Sequence, residues 1–161
     1  LLKNKKGLVR LAAILTLILT PSERAVELLI PLLKDKKKFV RAAATAGLGS
    51  SRSERAVEHL TPLLKDREVF VRRVTCESLG MIGSDGGVEH IIPLLKDEDI
   101  SVRRAAAGAL GELSRKLKED DLFSLVKRLH KVGQEEAVDK IKKVQGRRFL
   151  KILCPELSRQ G

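Results

Sequence analysis

Three Asp–Arg pairs recur through the sequence at a constant spacing, and such repeated charges are the first candidates for a functional site. The arginine follows the aspartate by six residues in each pair, and the pairs recur every 31 residues. The residues are Asp35 with Arg41, Asp66 with Arg72, and Asp97 with Arg103. Charges at helix ends satisfy backbone groups that lack helical partners and stabilise the helix dipole. We therefore interpret these six residues as architecture.

The histidines and cysteines are the next candidates, for metal binding and for nucleophilic catalysis. Glu58-His59 and Glu89-His90 are adjacent pairs, and adjacent residues on a helix point about 100° apart, so one metal ion would not readily take both. Cys76 has no histidine in phase, and no Gly-x-Ser-x-Gly motif, phosphate loop or paired-carboxylate cleft is present. We expect no catalytic residue, no metal and no cofactor.

All of these residues lie in a repeat of 31 residues, which dictates the elements that position them. The string Pro-Leu-Leu-Lys-Asp begins at Pro31, Pro62 and Pro93. A Val-Arg pair and a Leu-Gly pair follow in the same phase in each unit. Internal self-similarity at a fixed period is the signature of repeat architectures.

Each unit is predicted to form two antiparallel helices of about 11 residues, too short to bury their apolar faces alone. The first helix is expected to begin after a serine N-cap and to end near the Lys-Asp pair. The second helix carries apolar or small residues at helical spacing, and the Leu-Gly pair near its end fits a helix stop. The expected starting points are Ser22, Ser53 and Ser84 for the first helices, and Val40, Val71 and Val102 for the second. Neighbouring units must therefore stack around a shared core.

These units resemble the short HEAT-like repeats first named for phycobilisome lyases, and the resemblance spans nearly the whole chain. The matching pattern is Ala-Val-Glu-x-Leu, then Leu-Leu-Lys-Asp, then Val-Arg-x-Ala-Ala-x-x-Leu-Gly. The resemblance implies an all-α fold, a right-handed α-solenoid of stacked antiparallel helix pairs with a 31-residue period. In HEAT-repeat proteins a similar Asp and Arg form a structural ladder along the stack. Tetratricopeptide and ankyrin units fit poorly, because Trp, Tyr and the Thr-Pro-Leu-His motif are missing.

Some proteins with HEAT-like folds are enzymes, and their sites are a test for this chain. In deoxyhypusine hydroxylase, His-Glu pairs on the second helices of successive units hold a di-iron centre. The corresponding positions here hold Arg73-Val74 and Arg104-Ala105, which cannot replace a His-Glu pair. A lyase-type or DNA-glycosylase-type HEAT-like enzyme is kept as a third hypothesis, although no residue of this chain points to a pigment or to base excision.

The phase of the repeat divides a single HEAT-like domain into segments. We assign a partial first repeat to residues 1–20, repeats to 21–51, 52–82 and 83–113, a degenerate capping repeat to 114–146, and a C-terminal helix or tail to 147–161. The sequence begins inside a first helix by phase, so we expect a fragment of a longer solenoid. In the capping repeat Arg128, Gly133 and Gln134 replace the Asp and the Val-Arg pair, as is typical of a terminal unit.

The net charge of +11 is concentrated at the two ends of the chain. Basic residues outnumber acidic ones by 10 to 3 in residues 1–50 and by 13 to 8 in 112–161, against 9 to 10 in 51–111. The two densest clusters contain Lys36, Lys37 and Lys38, and Arg147 and Arg148. They could hold a phosphate backbone or an acidic tail, or be solvated turns. Single-stranded nucleic acid is disfavoured because stacking aromatic residues are scarce.

The exposed face of the second helices is the expected partner-binding surface. Arg73 and Arg104 follow the ladder arginines by one position, which turns them toward this face, the side that is usually concave in stacked helix pairs. Small residues dominate the face and leave a smooth trough with few charges, which could take a helix or an extended peptide. Its members are Ala42, Thr45, Ala46, Gly49, Arg73, Cys76, Glu77, Gly80, Arg104, Ala107, Gly108 and Gly111. The alternative is a merely solvated surface.

We therefore predict a non-catalytic macromolecular binding scaffold that holds a protein partner, acidic or peptide-like, on the concave face. The second hypothesis is binding of a nucleic-acid phosphate backbone by the basic ends. No membrane span is expected, because the longest apolar stretch, Leu11 to Thr20, is shorter than the roughly 20 residues that cross a bilayer. Cys76 and Cys154 stand alone, which favours free thiols in a reducing compartment and an intracellular, cytoplasmic location.

Overall fold

The computed structural model describes residues 7–20 and 22–149, and helices dominate these ranges. The α-helices are α1 Gly7–Leu19, α2 Glu23–Leu29, α3 Lys38–Ser51, α4 Ala56–Leu60, α5 Val69–Ile82, α6 Val88–Ile91, α7 Ile100–Leu113, α8 Glu119–Lys131 and α9 Glu135–Gln145. No β-strand occurs in the described ranges, and the predicted all-α solenoid is confirmed. Within them, no helix is long and apolar enough to cross a membrane.

Some of the predicted segments fall beyond these ranges. The first six residues of the partial first repeat lie outside the described residues, and so do residues 150–161 of the predicted C-terminal helix, including Cys154.

The helices form two layers with one continuous core between them. The odd-numbered helices stack in order, α1 on α3, α3 on α5, α5 on α7 and α7 on α9, and each even-numbered helix packs on the odd-numbered helix that follows it. The largest fully buried side chains recur at the repeat spacing in both layers: Leu29, Leu60 and Ile91 in one, Leu48, Leu79 and Leu110 in the other. Each unit therefore buries its apolar face against its neighbours, as in other repeat proteins.

The first helix of each full unit is interrupted, which differs from the continuous helix of the sequence prediction. The helices α2, α4 and α6 have only seven, five and four residues, and each continues as a tighter 3-10 segment of five residues. Pro31, Pro62 and Pro93 lie in these segments. A proline has no N–H to donate and its ring clashes with the carbonyl four residues earlier, so α-helical hydrogen bonding stops there.

Only one of the three predicted serine N-caps has the expected contact. The Ser22 hydroxyl accepts a hydrogen bond of 3.1 Å from the Ala25 backbone N–H. The units at Ser53 and Ser84 instead begin with a 3-10-type turn, in which the serine backbone carbonyl accepts from the residue three positions later, at 3.0 Å in both cases. The serine side chain is then not needed as a cap.

The glycines that recur at positions 49, 80 and 111 do not end the second helices, so the prediction that the Leu-Gly pair stops these helices was wrong. The helices α3 and α5 end at Ser51 and Ile82, and the residues that cap them, Arg52 and Gly83, have left-handed φ values of 52° and 69°. Each of these residues follows the glycine of its own helix by three positions. The glycines themselves lie inside the helices and are buried.

These glycines allow close approach of successive odd-numbered helices. A β-carbon added to Gly49 would lie 2.7 Å from Ser78 Cβ and 2.8 Å from Ser78 Cα. A β-carbon on Gly80 would lie 2.9 Å from Ala109 Cα. Such distances are shorter than van der Waals contact, so the spacing of α3, α5 and α7 depends on glycine at these positions.

A ladder of Arg–Asp ion pairs joins successive units. The Arg41 guanidinium donates two hydrogen bonds to the Asp66 carboxylate, at 2.7 and 2.8 Å. Arg72 binds Asp97 in the same way, at 2.8 and 2.9 Å. Parallel two-point contacts of this kind are the strongest geometry for an arginine and a carboxylate. Each carboxylate therefore comes from the unit that follows the arginine, 25 residues along the chain.

The residues that are six apart in sequence contact each other through the backbone. Arg41, Arg72 and Arg103 each donate from Nη1 to the carbonyl oxygen of the aspartate in their own unit, at 2.9, 3.0 and 2.8 Å. An equivalent ion pair precedes them, because Arg10 Nε lies 2.8 Å from Asp35 Oδ2. The ladder thus begins one unit earlier than the pairs selected from the sequence.

Each ladder aspartate also organises the turn that starts the second helix of its own unit. Asp66 Oδ1 accepts from the Glu68 backbone N–H at 2.9 Å, and Asp97 Oδ1 accepts from the Asp99 N–H at 2.9 Å. The Arg72 hydrogen bonds hold the pKa of Asp97 below its usual value, although partial burial opposes this shift. The carboxylate is therefore ionised in the folded protein at neutral pH.

Substitution of Gly49 with alanine should lower the free energy of unfolding by about 1–3 kcal/mol, the usual cost of overpacking. The added carbon would meet the Ser78 backbone, which cannot move without shifting α5. The matched control is Gly108→Ala in α7, where nothing lies within 4 Å of the added carbon. This control should be neutral or stabilising by up to about 1 kcal/mol, because alanine favours helix. Urea unfolding followed by circular dichroism measures the free energy of unfolding of both variants. If Gly49→Ala stabilised the protein as much as Gly108→Ala, the packing role of Gly49 would be contradicted.

Substitution of Asp97 with asparagine should lower the free energy of unfolding at neutral pH by about 1.5–3 kcal/mol, because Arg72 loses its ionised acceptor. The folded-state pKa of Asp97 is depressed, so this stabilisation is present above the unfolded pKa of about 4 and is lost as the pH falls through the folded value. The difference between wild type and variant should therefore narrow below about pH 4.

Glu98→Gln is the control for the Asp97 substitution. Glu98 Oε1 also lies 3.1 Å from Arg72 Nη2, but its side chain is 82% exposed. An exposed ion pair contributes about 0–1 kcal/mol, so this variant should resemble wild type in urea unfolding. A difference between wild type and Asp97→Asn that stayed constant from neutral to strongly acidic pH would contradict the assignment.

Candidate functional site

A groove of about 840 Å³ crosses the odd-numbered layer at α5, α7 and α9. It combines small residues with cationic and apolar side chains. The lining residues are Arg73, Glu77, Gly80, Met81, Ile100, Ser101, Arg104, Ala105, Gly108, Ala109, Glu112, Arg115, Lys140, Lys143 and Val144. We call this feature the α5–α7–α9 groove.

The acidic residues of the groove are already paired with arginines. Arg73 Nη1 lies 2.7 Å from Glu77 Oε1 on the next turn of α5. Arg115 Nε lies 3.1 Å from Glu112 Oε2. These two pairs leave no net charge on the part of the groove that they line.

Three further cations of the groove have no such partner. Arg104 on α7 and Lys140 and Lys143 on α9 are exposed, and no carboxylate of the described residues lies within ion-pair distance of them. Like charges on one surface repel each other, and an anionic ligand would relieve that repulsion. The groove is therefore cationic toward α9 and close to neutral at α5.

Exposed apolar side chains lie at and beside the groove, at the beginnings of α3, α5 and α7 and in the last turn of α5. Ile100 and Met81 line it, and their side chains are 53% and 45% exposed. Phe70 and Phe39, at the beginnings of α5 and α3, are also exposed, and their ring centroids are 6.3 Å apart. The Arg73 guanidinium lies 5.3 Å from the Phe70 ring centroid and connects the rings to the groove. We call Phe39, Phe70, Met81 and Ile100 the apolar strip.

The structure brings together only some of the predicted partner-binding residues. Arg73, Glu77 and Arg104 lie in the groove. The other predicted residues, Lys36, Lys37, Lys38, Arg147 and Arg148, do not line it.

Two members of these outlying basic clusters have structural partners. Lys38 Nζ lies 3.0 Å from Glu68 Oε2. Arg148 donates hydrogen bonds to the backbone carbonyls of Arg115 and Leu117, and so ties the end of the described chain to the turn after α7. Lys36, Lys37 and Arg147 are exposed.

The expected trough of small residues along the second helices is present only in part, because Gly80 and Gly108 line the groove but most of the other small residues do not. Several of its members are buried: Ala42, Thr45, Gly49, Cys76, Gly80, Ala107 and Gly111. The glycines 49, 80 and 111 lie on helix flanks that the next odd-numbered helix covers, as the close approach of Ser78 to Gly49 shows. The small residues therefore pack the layer together, whereas the residues that remain accessible are mostly charged.

Sequence reasoning missed the apolar strip and the lysines of α9. A signal for the strip was present, because Phe39 and Phe70 are 31 residues apart and immediately precede the buried valines of their helices. For Lys140 and Lys143 no repeat signal existed, since the capping unit departs from the pattern of the other units.

The cysteine and the histidines considered for chemistry have the following surroundings. Burial raises the pKa of the Cys76 thiol to about 12, so it is protonated and a poor nucleophile at neutral pH. Glu89, which precedes His90, accepts two hydrogen bonds from Arg128, at 2.8 and 3.0 Å. Within the described part of the chain, no group of three or more histidine, cysteine or acidic side chains is placed to hold a metal ion.

Several solved structures are similar to this chain in fold, among them the following two. A crystal structure of an engineered protein has a TM-score of 0.65 and 19% identity, over 89% of this chain and 74% of that one. The complex of CpcE and CpcF of phycocyanin lyase from Nostoc sp. PCC7120 has a TM-score of 0.51 and 19% identity, over 80% of this chain and 66% of that one. At these identities the similarity concerns the fold alone.

Comparison with protein families gives a more specific result. No curated protein matches the sequence. The family model for HEAT repeats matches residues 1–74 and again residues 59–139, which together cover most of the sequence. The chain belongs to the HEAT-repeat family.

Proposed function

We propose that this chain is a non-catalytic scaffold that holds a protein partner in the α5–α7–α9 groove. The observation that carries the proposal is the presence of exposed apolar side chains beside uncompensated cations in one groove. Exposed apolar surface with a polar rim is typical of interaction sites in soluble proteins. Ile100 at the start of α7 and Met81 in the last turn of α5 are exposed apolar side chains of the groove, and Arg104 provides part of the charged rim.

The architecture of the groove also supports a macromolecular ligand. Three stacked helices contribute to it, and such extended surfaces are the ones that repeat proteins use for binding. The similar structure from Nostoc is itself a complex of two chains, which by analogy favours a protein partner. An intracellular, cytoplasmic location is part of this proposal and fits the buried free thiol of Cys76.

Nucleic-acid binding is the second candidate function, and specific residues favour it. Lys36, Lys37 and Arg147 are exposed outside the groove, and the net charge is +11. Contacts to phosphates would make the affinity fall steeply with salt, because bound counterions are released. Enzymatic activity of a lyase or glycosylase type is third, since Cys76 and the histidines offer no arrangement that supports it.

Filling the groove should abolish capture of a protein partner. In Gly108→Trp a large side chain enters the groove at a position with no neighbour within 4 Å, so the fold should tolerate it. Ser124→Trp, at an exposed position of α8 in the other layer, is the matched control. We expect Gly108→Trp to reduce the recovered partner by at least about tenfold and Ser124→Trp to leave it unchanged, since a few central contacts dominate most interfaces.

The measurement is affinity capture from a lysate of the source cells with quantitative mass spectrometry, after both variants have been shown to melt like wild type. Equal capture by the two variants would contradict binding in the groove. Material that disappears on nuclease treatment, and that depends on Lys36 and Lys37, would instead support nucleic-acid binding.

A further inference from the structure

We propose that the segment bound in the α5–α7–α9 groove is acidic and amphipathic, with its apolar residues against Met81 and Ile100 and its carboxylates on Arg104, Lys140 and Lys143. This inference rests on the proposed function and specifies the chemistry and orientation of the partner.

The charge distribution of the groove determines the sign of the partner. Both glutamates of the lining are paired, Glu77 with Arg73 at 2.7 Å and Glu112 with Arg115 at 3.1 Å. The remaining charged groups of the lining are all positive. A segment with carboxylates would gain favourable contacts here, whereas a basic one would be repelled.

The positions of the apolar and charged residues determine the orientation. Met81 lies in the last turn of α5, Ile100 begins α7, and the two lysines lie on α9. The pair formed by Arg73 and Glu77 leaves the α5 side without net charge. Apolar residues of the partner therefore lie toward α5 and the first turn of α7, and its carboxylates lie toward α9.

The same features disfavour nucleic acid in this groove. A phosphate backbone carries negative charge at every nucleotide, so some phosphates would face apolar side chains and paired glutamates instead of cations. The lining of the groove also contains no aromatic residue. Bases need free ring faces for stacking.

The dimensions of the layer set the length of the segment. Packed helices lie about 8–10 Å apart, so the distance from α5 to α9 is about 16–20 Å. A helix of about 11–13 residues spans this distance, as does an extended segment of about 5–6 residues. A display library of 16-residue peptides would therefore contain ligands of either form.

The test is selection from a random library of 16-residue displayed peptides on the wild-type protein. We expect enriched peptides to carry net negative charge and at least two large apolar residues. Synthetic copies should bind less tightly as salt is raised, and at least about tenfold less tightly to Arg104→Glu or to Lys140→Glu/Lys143→Glu, as charge reversal at a central contact predicts. The replaced side chains are exposed, so these variants should fold.

Lys127→Glu is the matched control, because Lys127 is an exposed cation on α8 outside the groove. It should change the Kd by less than about twofold, as expected for a charge outside the interface. Acidic peptides that are equally insensitive to Arg104→Glu and Lys127→Glu would overturn the inference. So would a 20-base-pair duplex DNA that displaces the selected peptides.

The orientation is tested by double-mutant cycles on one selected peptide. When Lys140→Glu is combined with alanine substitution of the peptide's acidic residues, the change in Kd should differ at least about threefold from the product of the two single changes. The same deviation is expected when Ile100→Asp is combined with alanine substitution of the peptide's apolar residues. The reverse pattern would overturn the orientation.

Failure of this inference is distinguishable from failure of the proposed function. Enriched peptides that are neutral or basic, but that no longer bind Gly108→Trp, would overturn the acidic partner and leave the groove as a protein-binding site. If no peptide is enriched, or if none responds to Gly108→Trp, both proposals fail.

Discussion

The two-point ion pair between an arginine and the aspartate of the next unit is the contact on which the rest of the structure depends. The Asp97 carboxylate binds Arg72 and at the same time accepts the Asp99 backbone N–H of its own turn. Arg72 in turn donates to the carbonyl of Asp66. One rung therefore fixes a turn, the start of a helix and the position of the neighbouring unit. Burying these charges is favourable only because each is paired in this geometry.

The same rung determines which residues reach the groove. Arg72 must point along the stack toward Asp97, and the next residue is rotated by about 100° around the helix axis, which directs Arg73 to the surface. Arg104 follows Arg103 with the same rotation and lies in the groove. In each of these two Arg-Arg pairs the first arginine therefore contacts the ladder aspartates, and the second lies in the groove.

The period and the core could be predicted from the sequence, because both follow from spacing. Leu29 and Leu60 occupy equivalent positions, and any stack with this period must bury both. Which side of each helix the next unit covers could not be predicted in this way. Gly80 looked like a helix stop, and its role depends on Ala109 Cα, which approaches from another unit. The sequence pattern of α5 alone gives no information on the distance from Gly80 to Ala109 in the next unit. The apolar strip was missed because Met81 and Ile100 belong to the groove only once the units are stacked.

Degeneracy of the last unit gives the groove its polarity. The helix α9 still packs closely on α7, since a β-carbon on Gly111 would lie 3.3 Å from the Lys140 backbone. The ion-pair rung is absent there, because Arg128 occupies the aspartate position and binds Glu89. Hydrogen bonds from the Gln145 side chain to Ser114 contribute to holding α9 in place.

The helix α9 departs from the repeat pattern and carries Lys140 and Lys143 where the preceding unit has Ala109 and Glu112. A further regular unit would place a small residue and a paired glutamate at these positions, and the groove would be nearly neutral along its length. The unit that departs most from the repeat therefore supplies two of the three unpaired cations of the groove, while the regular units set the spacing of its helices. The stacking of α9 on α7 depends on the small residue at position 111, whereas the charged ends of the exposed side chains at positions 140 and 143 take no part in that contact.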